Sequence, residues 1–481
     1  MAAPTNSNVS PTCFLYASLL LALCPFFTLK KIDAHLEGNL KNLHFHELKV
    51  SSFVPSTVCN RFSSKAARKG SSLEVVHRYG PCNGQEAIES PSEADIFLQD
   101  QQRVNFLHNQ YSFSRRDHAT FLDMKTKVPA KSGQTIGGAD YIVTVGLGTP
   151  TKQYSLIFDT GSSIAWTQCE PCLGYCYPQQ EPKLDPTKST SYKNVTCSSP
   201  SCSLITESRT GERSCSSPTC LYRVRYGDQS FTVGFLATEK LTISSSDVID
   251  NFVFGCGQNN RGLFRGFAGL LGLGPSKISF VGQTATKYKQ LFSYCLPSSP
   301  SSTGFLNFGG QVSRTAKFTP LSALSQRYSL YFLDITGISV GGQLLPVDSS
   351  VYSNAKTVID SGTVISRLPP SVYSKLSSAF QSLMTKYPKT SGVSLFDTCY
   401  DFTGYRSFYV PKISVFFKGG VEVNIPPTGV MIRRNEKTCL AFAANGDDTD
   451  ISIFGNTQQQ TLEVIHDVGN GRVGFAPGAC P

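Results

Sequence analysis

One motif occurs twice in this chain, and its repetition constrains the fold more than any other feature. Leu156-Ile157-Phe158-Asp159-Thr160-Gly161-Ser162 is echoed 201 residues later by Thr357-Val358-Ile359-Asp360-Ser361-Gly362-Thr363. Each copy reads as an apolar strand that ends in an acid. The glycine permits a tight turn, and the hydroxyl residues offer hydrogen bonds to a carboxylate that burial would otherwise leave without partners. A second echo follows each copy: Ala268-Gly269-Leu270-Leu271-Gly272 and Ile451-Ser452-Ile453-Phe454-Gly455 both pair large apolar residues with a closing glycine. Two similar lobes are implied, each contributing one acid. Alone, an Asp-Thr-Gly is a common turn; two copies on apolar strands a lobe apart point to paired carboxylates and acid–base chemistry.

Composition agrees with a strand-and-turn body. The 481 residues include 40 Gly and 27 Pro but only one Trp and four Met, which excludes a coiled coil or a polytopic membrane protein. At 16% charged and 40% hydrophobic residues the chain can bury a large core and is not disordered. The net charge of +10 is spread without a basic run, so surface solvation accounts for it better than nucleic-acid binding does.

The amino terminus differs from the body. Cys13 to Leu29 is an uncharged apolar run followed by Lys30 and Lys31, the length of a secretory signal core, so residues 1–29 read as a signal peptide. Because no Lys or Arg precedes that run, a transit peptide or an uncleaved anchor is the alternative. Twelve cysteines lie in the body: Cys169, Cys172, Cys176, Cys197, Cys202, Cys215, Cys220, Cys256, Cys295, Cys399, Cys439 and Cys480. In a secreted protein they would form six disulfides whose connectivity spacing does not give. The cluster Cys169, Cys172, Cys176 has no nearby His, which favours disulfides over zinc. Asn194-Val195-Thr196 is a glycosylation sequon in this Cys-rich loop, placing Asn194 on the surface.

Residues 30–135 are polar and uneven in pattern, which suggests a removable or loosely packed segment, with one helix near Ser92 to Asn109 whose Phe97, Val104 and Leu107 share a face. From Tyr141 the text changes to alternation, with Tyr141, Val143, Val145 and Leu147 on one side of a strand, so the compact body begins near residue 136. A second helix is predicted where Val372, Leu376, Phe380 and Met384 repeat, with Ser371 as its cap. His77 and His466 have no nucleophile motif around them, and a Ser or Cys triad is set aside.

These motifs resemble the pepsin-like aspartic proteases, and within them the cysteine-rich plant branch typified by nepenthesins, over residues 136–481. Trp166 after the first Asp, and Tyr222 to Asp228, which is similar to the flap hairpin of that family, strengthen the match. The stretch Ser72 to Cys82 and the helix around Asp100 to Phe106 are similar to the prosegment of the plant subgroup that includes chloroplast nucleoid DNA-binding proteases. The resemblance implies an all-β, bilobal pepsin-like fold, two β lobes related by a pseudo-twofold with a central active-site cleft. The implied layout is signal peptide 1–29, prosegment 30–135, N-terminal lobe 136–320 and C-terminal lobe 321–481. It implies an aspartic endopeptidase, made as a zymogen, in which Asp159 and Asp360 share one proton and activate a water, with no metal and no cofactor.

The supporting roles implied are Thr160 and Ser361 tying the two loops, Ser162 and Thr363 bonding the outer carboxylate oxygens, and Gly161 and Gly362 allowing the turns. Tyr226, Gly227 and Asp228 would form the flap over substrate, with the Tyr226 hydroxyl bonded to Trp166; Gln229 departs from the Gly often found there. Lys125, Lys127 or Lys131 would lie near the acids before activation. Implied partners are protein or peptide substrates and pepstatin-type inhibitors, the chain acting as a monomer in the apoplast, with chloroplast or vacuole as alternatives. Two rival functions come from other classes: a catalytically silent xylanase-inhibitor-like protein, against which both intact Asp motifs argue, and a DNA-binding role, against which the absence of a basic stripe argues.

Overall fold

The computed structural model describes residues 44–54, 56–62, 71–84, 93–115, 141–208, 211–226, 230–262, 264, 266–434 and 436–481. The expected signal peptide and Lys125, Lys127 and Lys131 lie outside the described residues.

The architecture is all-β and bilobal. A 15-stranded sheet carries the first half of the chain and joins it to the second. On its first-lobe side Tyr141–Leu147 pairs antiparallel with Lys152–Asp159, which runs parallel to Gly269–Gly272. On the other side Leu291–Cys295 pairs with Glu463–Asp467, and Lys317–Pro320 with Arg472–Ala476, so strands from the far end of the chain close the sheet between the lobes. The second lobe has its own five-stranded sheet, in which Thr357–Ile359 runs parallel to Ser452–Phe454, and two four-stranded sheets.

The alternation from Tyr141 does as its pattern predicts, and the second face is covered in part, with Thr144 left exposed. Tyr141, Val143, Val145 and Leu147 enter the main core, while Ile142 packs on the other side with Ile157, Trp166 and Leu270. Burial of each such side chain contributes about 1.5–3 kcal/mol.

Two described pieces of the segment before residue 136 are packed more tightly than their polarity suggests. Ser71–His77 is an internal strand, paired with Thr303–Phe308 on one edge and with Tyr141–Leu147 on the other. Leu73, Val75 and Val76 are buried, and three apolar side chains in seven residues are enough to hold a strand whose backbone is paired on both sides. The helix Glu93–Arg115 lies across the second lobe. Its Phe97 packs with Val364, Ile365 and Phe396, and its Val104 and Leu107 with Phe332, Val358 and Ile453.

Seven disulfides are formed among the described residues. All twelve body cysteines are paired, as Cys169–Cys256, Cys172–Cys176, Cys197–Cys215, Cys202–Cys220, Cys295–Cys480 and Cys399–Cys439, and Cys59 pairs with Cys82. The second predicted helix spans Pro370–Leu383 and buries Val372, Leu376 and Phe380. Ser371 is not its cap: the hydroxyl makes no hydrogen bond, and its backbone N–H donates instead to Asp448 Oδ1 at 2.9 Å. The helix starts two residues earlier than expected, with Pro369 at its N-cap position and Pro370 as its first residue, and a remote carboxylate takes the free Ser371 N–H.

Candidate active site

Asp159 and Asp360 reach the same point by the same construction. Each ends an apolar strand that runs parallel to the strand formed by the second echo, with Gly272 in register opposite Asp159. Leu273 N–H donates to the Asp159 carbonyl at 2.9 Å, and Asp360 N–H donates to the Phe454 carbonyl at 3.1 Å. The glycines that close the echoes are required by close approach: a Cβ on Gly272 would lie 2.4 Å from the Ser163 carbonyl carbon, and one on Gly455 2.8 Å from that of Ile365. The motif and its echo are therefore two halves of one device, a strand that delivers the acid and a strand that lets the next loop cross behind it.

The carboxylates are fully buried and supported from below. Gly161 N–H donates to Asp159 Oδ1 at 2.9 Å and Gly362 N–H to Asp360 Oδ1 at 3.1 Å. Thr363 Oγ1 donates to Asp360 Oδ2 at 2.6 Å. The loops are tied to each other through Thr160 and Ser361, whose backbone N–H groups donate to each other's hydroxyls. Ser162 departs from its expected role: its hydroxyl is buried and makes no hydrogen bond. The outer oxygen of Asp159 instead accepts from Arg103 Nη1 at 3.3 Å.

Arg103 is the residue that the sequence reading missed. It projects from the Glu93–Arg115 helix with its side chain 16% exposed, and its guanidinium sits between the two acids. Nη2 donates to Asp159 Oδ1 at 2.7 Å and to Asp360 Oδ1 at 2.8 Å, and Nε donates to Asp360 Oδ2 at 2.7 Å. Two carboxylate oxygens that share one nitrogen are no more than about 5.5 Å apart. Gly161 and Gly362 make room for this cation, since a Cβ at either would come within about 2.5 Å of its guanidinium. Burial works against the Arg103 charge, but the two acids outweigh it and hold its pKa well above the usual value. Burial would likewise push Asp360 up, yet the Arg103 charge and the hydrogen bonds from Arg103, Thr363 and Gly362 keep it below the ordinary carboxylate range. A sequence signal did exist. With Phe97, Val104 and Leu107 defining the inward face of the helix, Asp100 and Arg103 fall on that same face, and charges on an apolar stripe call for partners.

The flap candidates are placed in part. Thr219–Arg225 and Phe231–Ser244 form an antiparallel hairpin, closed by the Tyr226 N–H donating to the Ser230 carbonyl at 2.8 Å. Trp166 Nε1 donates to Tyr226 Oη at 2.7 Å, and Phe264 meets both rings edge-on. Gly227, Asp228 and Gln229 lie outside the described residues. Asn194 is exposed on a short strand, where its Oδ1 accepts from Tyr192 Oη at 2.9 Å. Among the described residues no group of His, Cys, Asp and Glu could hold a metal ion. His466 is a core residue, stacked on Phe292 with both ring nitrogens unpartnered, and burial lowers its pKa to about 3.

Comparison with known proteins gives the family. Family models described as xylanase inhibitor N-terminal and C-terminal match residues 141–310 and 330–477. An aspartyl protease family protein of Arabidopsis thaliana is 48% identical over 470 residues, covering 96% of this chain and 98% of its own. The aspartyl protease AED1 of the same plant is 46% identical over 97% of this chain and 99% of its own. The chain belongs to the plant aspartyl protease family. Nepenthesin-2 of Nepenthes gracilis is a further member, 36% identical over 72% of this chain and 78% of its own. Among solved structures, soybean basic 7S globulin superposes with a TM-score of 0.56 at 22% identity, covering 70% of this chain and 92% of its own, and shows the shared bilobal fold. The match to the two Arabidopsis aspartyl proteases takes in nearly the whole chain, so it extends over residues that precede the family models.

Proposed function

We propose that this chain is the inactive precursor of a secreted aspartic endopeptidase, and that residues 30–135 are its prosegment. The observation that carries this reading is the convergence of two buried aspartates, from two mirrored loops, on a single guanidinium supplied by a third segment. While Arg103 is in place both acids are paired to its guanidinium, and its side chain occupies the space that an attacking water would need. With the segment removed, two carboxylates this close do not both ionise cheaply and share one proton, titrating as a coupled pair. The ionised partner then takes a proton from a water that attacks the peptide carbonyl, and the protonated partner donates to the developing oxyanion. Acid-side activity follows from this need for one proton on the pair.

The Tyr226 hairpin would close over substrate from the first lobe, and the Trp166 hydrogen bond fixes the ring that borders the cleft. An amino-terminal signal, paired cysteines and a surface sequon all suit an oxidising extracellular compartment. The test is cleavage of a denatured protein between about pH 2.5 and 7 by processed wild type, Asp159→Asn and Asp360→Asn, each with and without pepstatin. Acid-side activity that either substitution or the inhibitor abolishes supports the reading. A folded, processed wild type with no activity at any pH overturns it in favour of a binding protein.

A further inference from the structure

A second buried ion pair joins the same helix to the same lobe. Asp100, one turn before Arg103, has both carboxylate oxygens engaged: Oδ1 accepts from the Val364 backbone N–H at 2.6 Å, and Oδ2 accepts from Arg367 Nη2 at 2.6 Å. The Asp100 carboxylate is completely buried and the Arg367 side chain is only 2% exposed. Arg367 Nη1 donates to Gln101 Oε1 at 3.1 Å, and its Nε makes no hydrogen bond. The partners that the structure gives this guanidinium therefore sit on the helix, while its own strand, Ser366–Leu368, belongs to the lobe and follows directly from the Asp360 loop. The nearby acid Asp450 faces His108 of the helix instead, at 3.7 Å.

Resting on the protease reading above, we infer that the Arg367 guanidinium and the Val364 N–H form a substrate subsite for a carboxylate side chain, which Asp100 fills in the precursor. A buried guanidinium stripped of the Asp100 carboxylate is costly, and Arg presents two parallel donors to a carboxylate. Once residues 30–135 leave, Arg367 and Val364 N–H are left as a ready cradle in the floor of the cleft. The distance from the dyad follows from the helix: three residues at 1.5 Å each place Asp100 about 4.5 Å along the axis from Arg103, or one to two residues of an extended substrate. Substrates with Glu or Asp within that distance of the scissile bond are the class selected.

The experiment uses processed protein prepared from the full chain and synthetic peptides spanning a site that it cuts in a denatured protein. Glu is compared with Gln at each of three positions on either side of the scissile bond, at about pH 5.5, where Glu is ionised. At one position wild type should favour Glu by about ten- to hundredfold in kcat/KM. In Arg367→Gln that ratio should fall to near one, and Arg367→Lys should restore part of it. Being a ratio on one preparation, it does not depend on how much of a variant folds. In wild type itself the preference should also fade as pH drops below about 4.3, where the substrate Glu is protonated. A ratio near one at all positions, or a preference that survives Arg367→Gln, overturns the subsite while cleavage itself leaves the protease reading intact. Failure to cut any peptide overturns both.

Discussion

Thr160 and Ser361 hold each other reciprocally: Thr160 N–H donates to Ser361 Oγ at 3.1 Å, and Ser361 N–H donates to Thr160 Oγ1 at 2.9 Å. Each residue follows its aspartate directly, so this pair sets the spacing of the dyad. Thr160→Val keeps the shape but leaves the buried Ser361 N–H unpaired, at a cost of about 1–3 kcal/mol. Thermal unfolding should shift down by several degrees, and peptide cleavage should fall further than that loss of stability accounts for.

Arg103 links docking of the Glu93–Arg115 helix to pH. Asp360 is held below its ordinary range in the docked state, so the associated stabilisation is complete above the unfolded carboxylate value of about 3.9 and is lost as pH falls through the docked value. Hydrogen exchange of the helix in full-length protein should show protection at neutral pH that disappears in acid. In Arg103→Met two facing carboxylates are left uncompensated, and protection should already be reduced at neutral pH.

Gly362 tests how closely the site is packed. A Cβ there would lie 2.5 Å from the Arg103 guanidinium carbon and 2.7 Å from Asp159 Oδ1. Gly362→Ala should therefore weaken helix docking in the full-length protein and, on the protease reading, reduce peptide cleavage by at least about a hundredfold, comparable to losing a general acid–base group. Circular dichroism that is unchanged alongside that loss places the effect at the dyad; full activity would contradict the packing described.

His466 gives a separate pH signature. Its folded pKa, about 3, lies below the unfolded value near 6.5, so the neutral-ring contribution is fully present above pH 6.5 and declines as pH falls toward 3. His466→Phe retains the stack on Phe292 and removes the proton uptake. The drop in melting temperature between pH 7 and 4 should be smaller in the variant than in wild type.

The dyad, its hydroxyl partners and the two-lobed plan were legible because the information is local and doubled: a strand, an acid and a glycine, twice, with an echo for each. Strand faces were legible for the same reason at Tyr141–Leu147. Contacts between remote segments were not. Arg103 meets Asp159 and Asp360 across 56 and 257 positions of chain, and its place on the apolar face of the helix signals a partner without saying which one. The family resemblance gave Ser162 an outer carboxylate oxygen as it gave one to Thr363, but the Ser162 hydroxyl makes no hydrogen bond and Arg103 takes the outer oxygen of Asp159. Ser371 failed as a cap because an acid 77 residues away competes for the same helix end.

The Cys59–Cys82 bridge opens and closes before residue 141, and the other six bridges lie wholly after it. No bond between described cysteines crosses the stretch from Arg115 to Tyr141. One scission there would leave two polypeptides held by contacts alone, so their separation would need no reductant. Cys295–Cys480 has the opposite consequence: it fastens the end of the chain back onto the first half, and a further cut between the halves would leave a two-chain molecule still in one covalent piece.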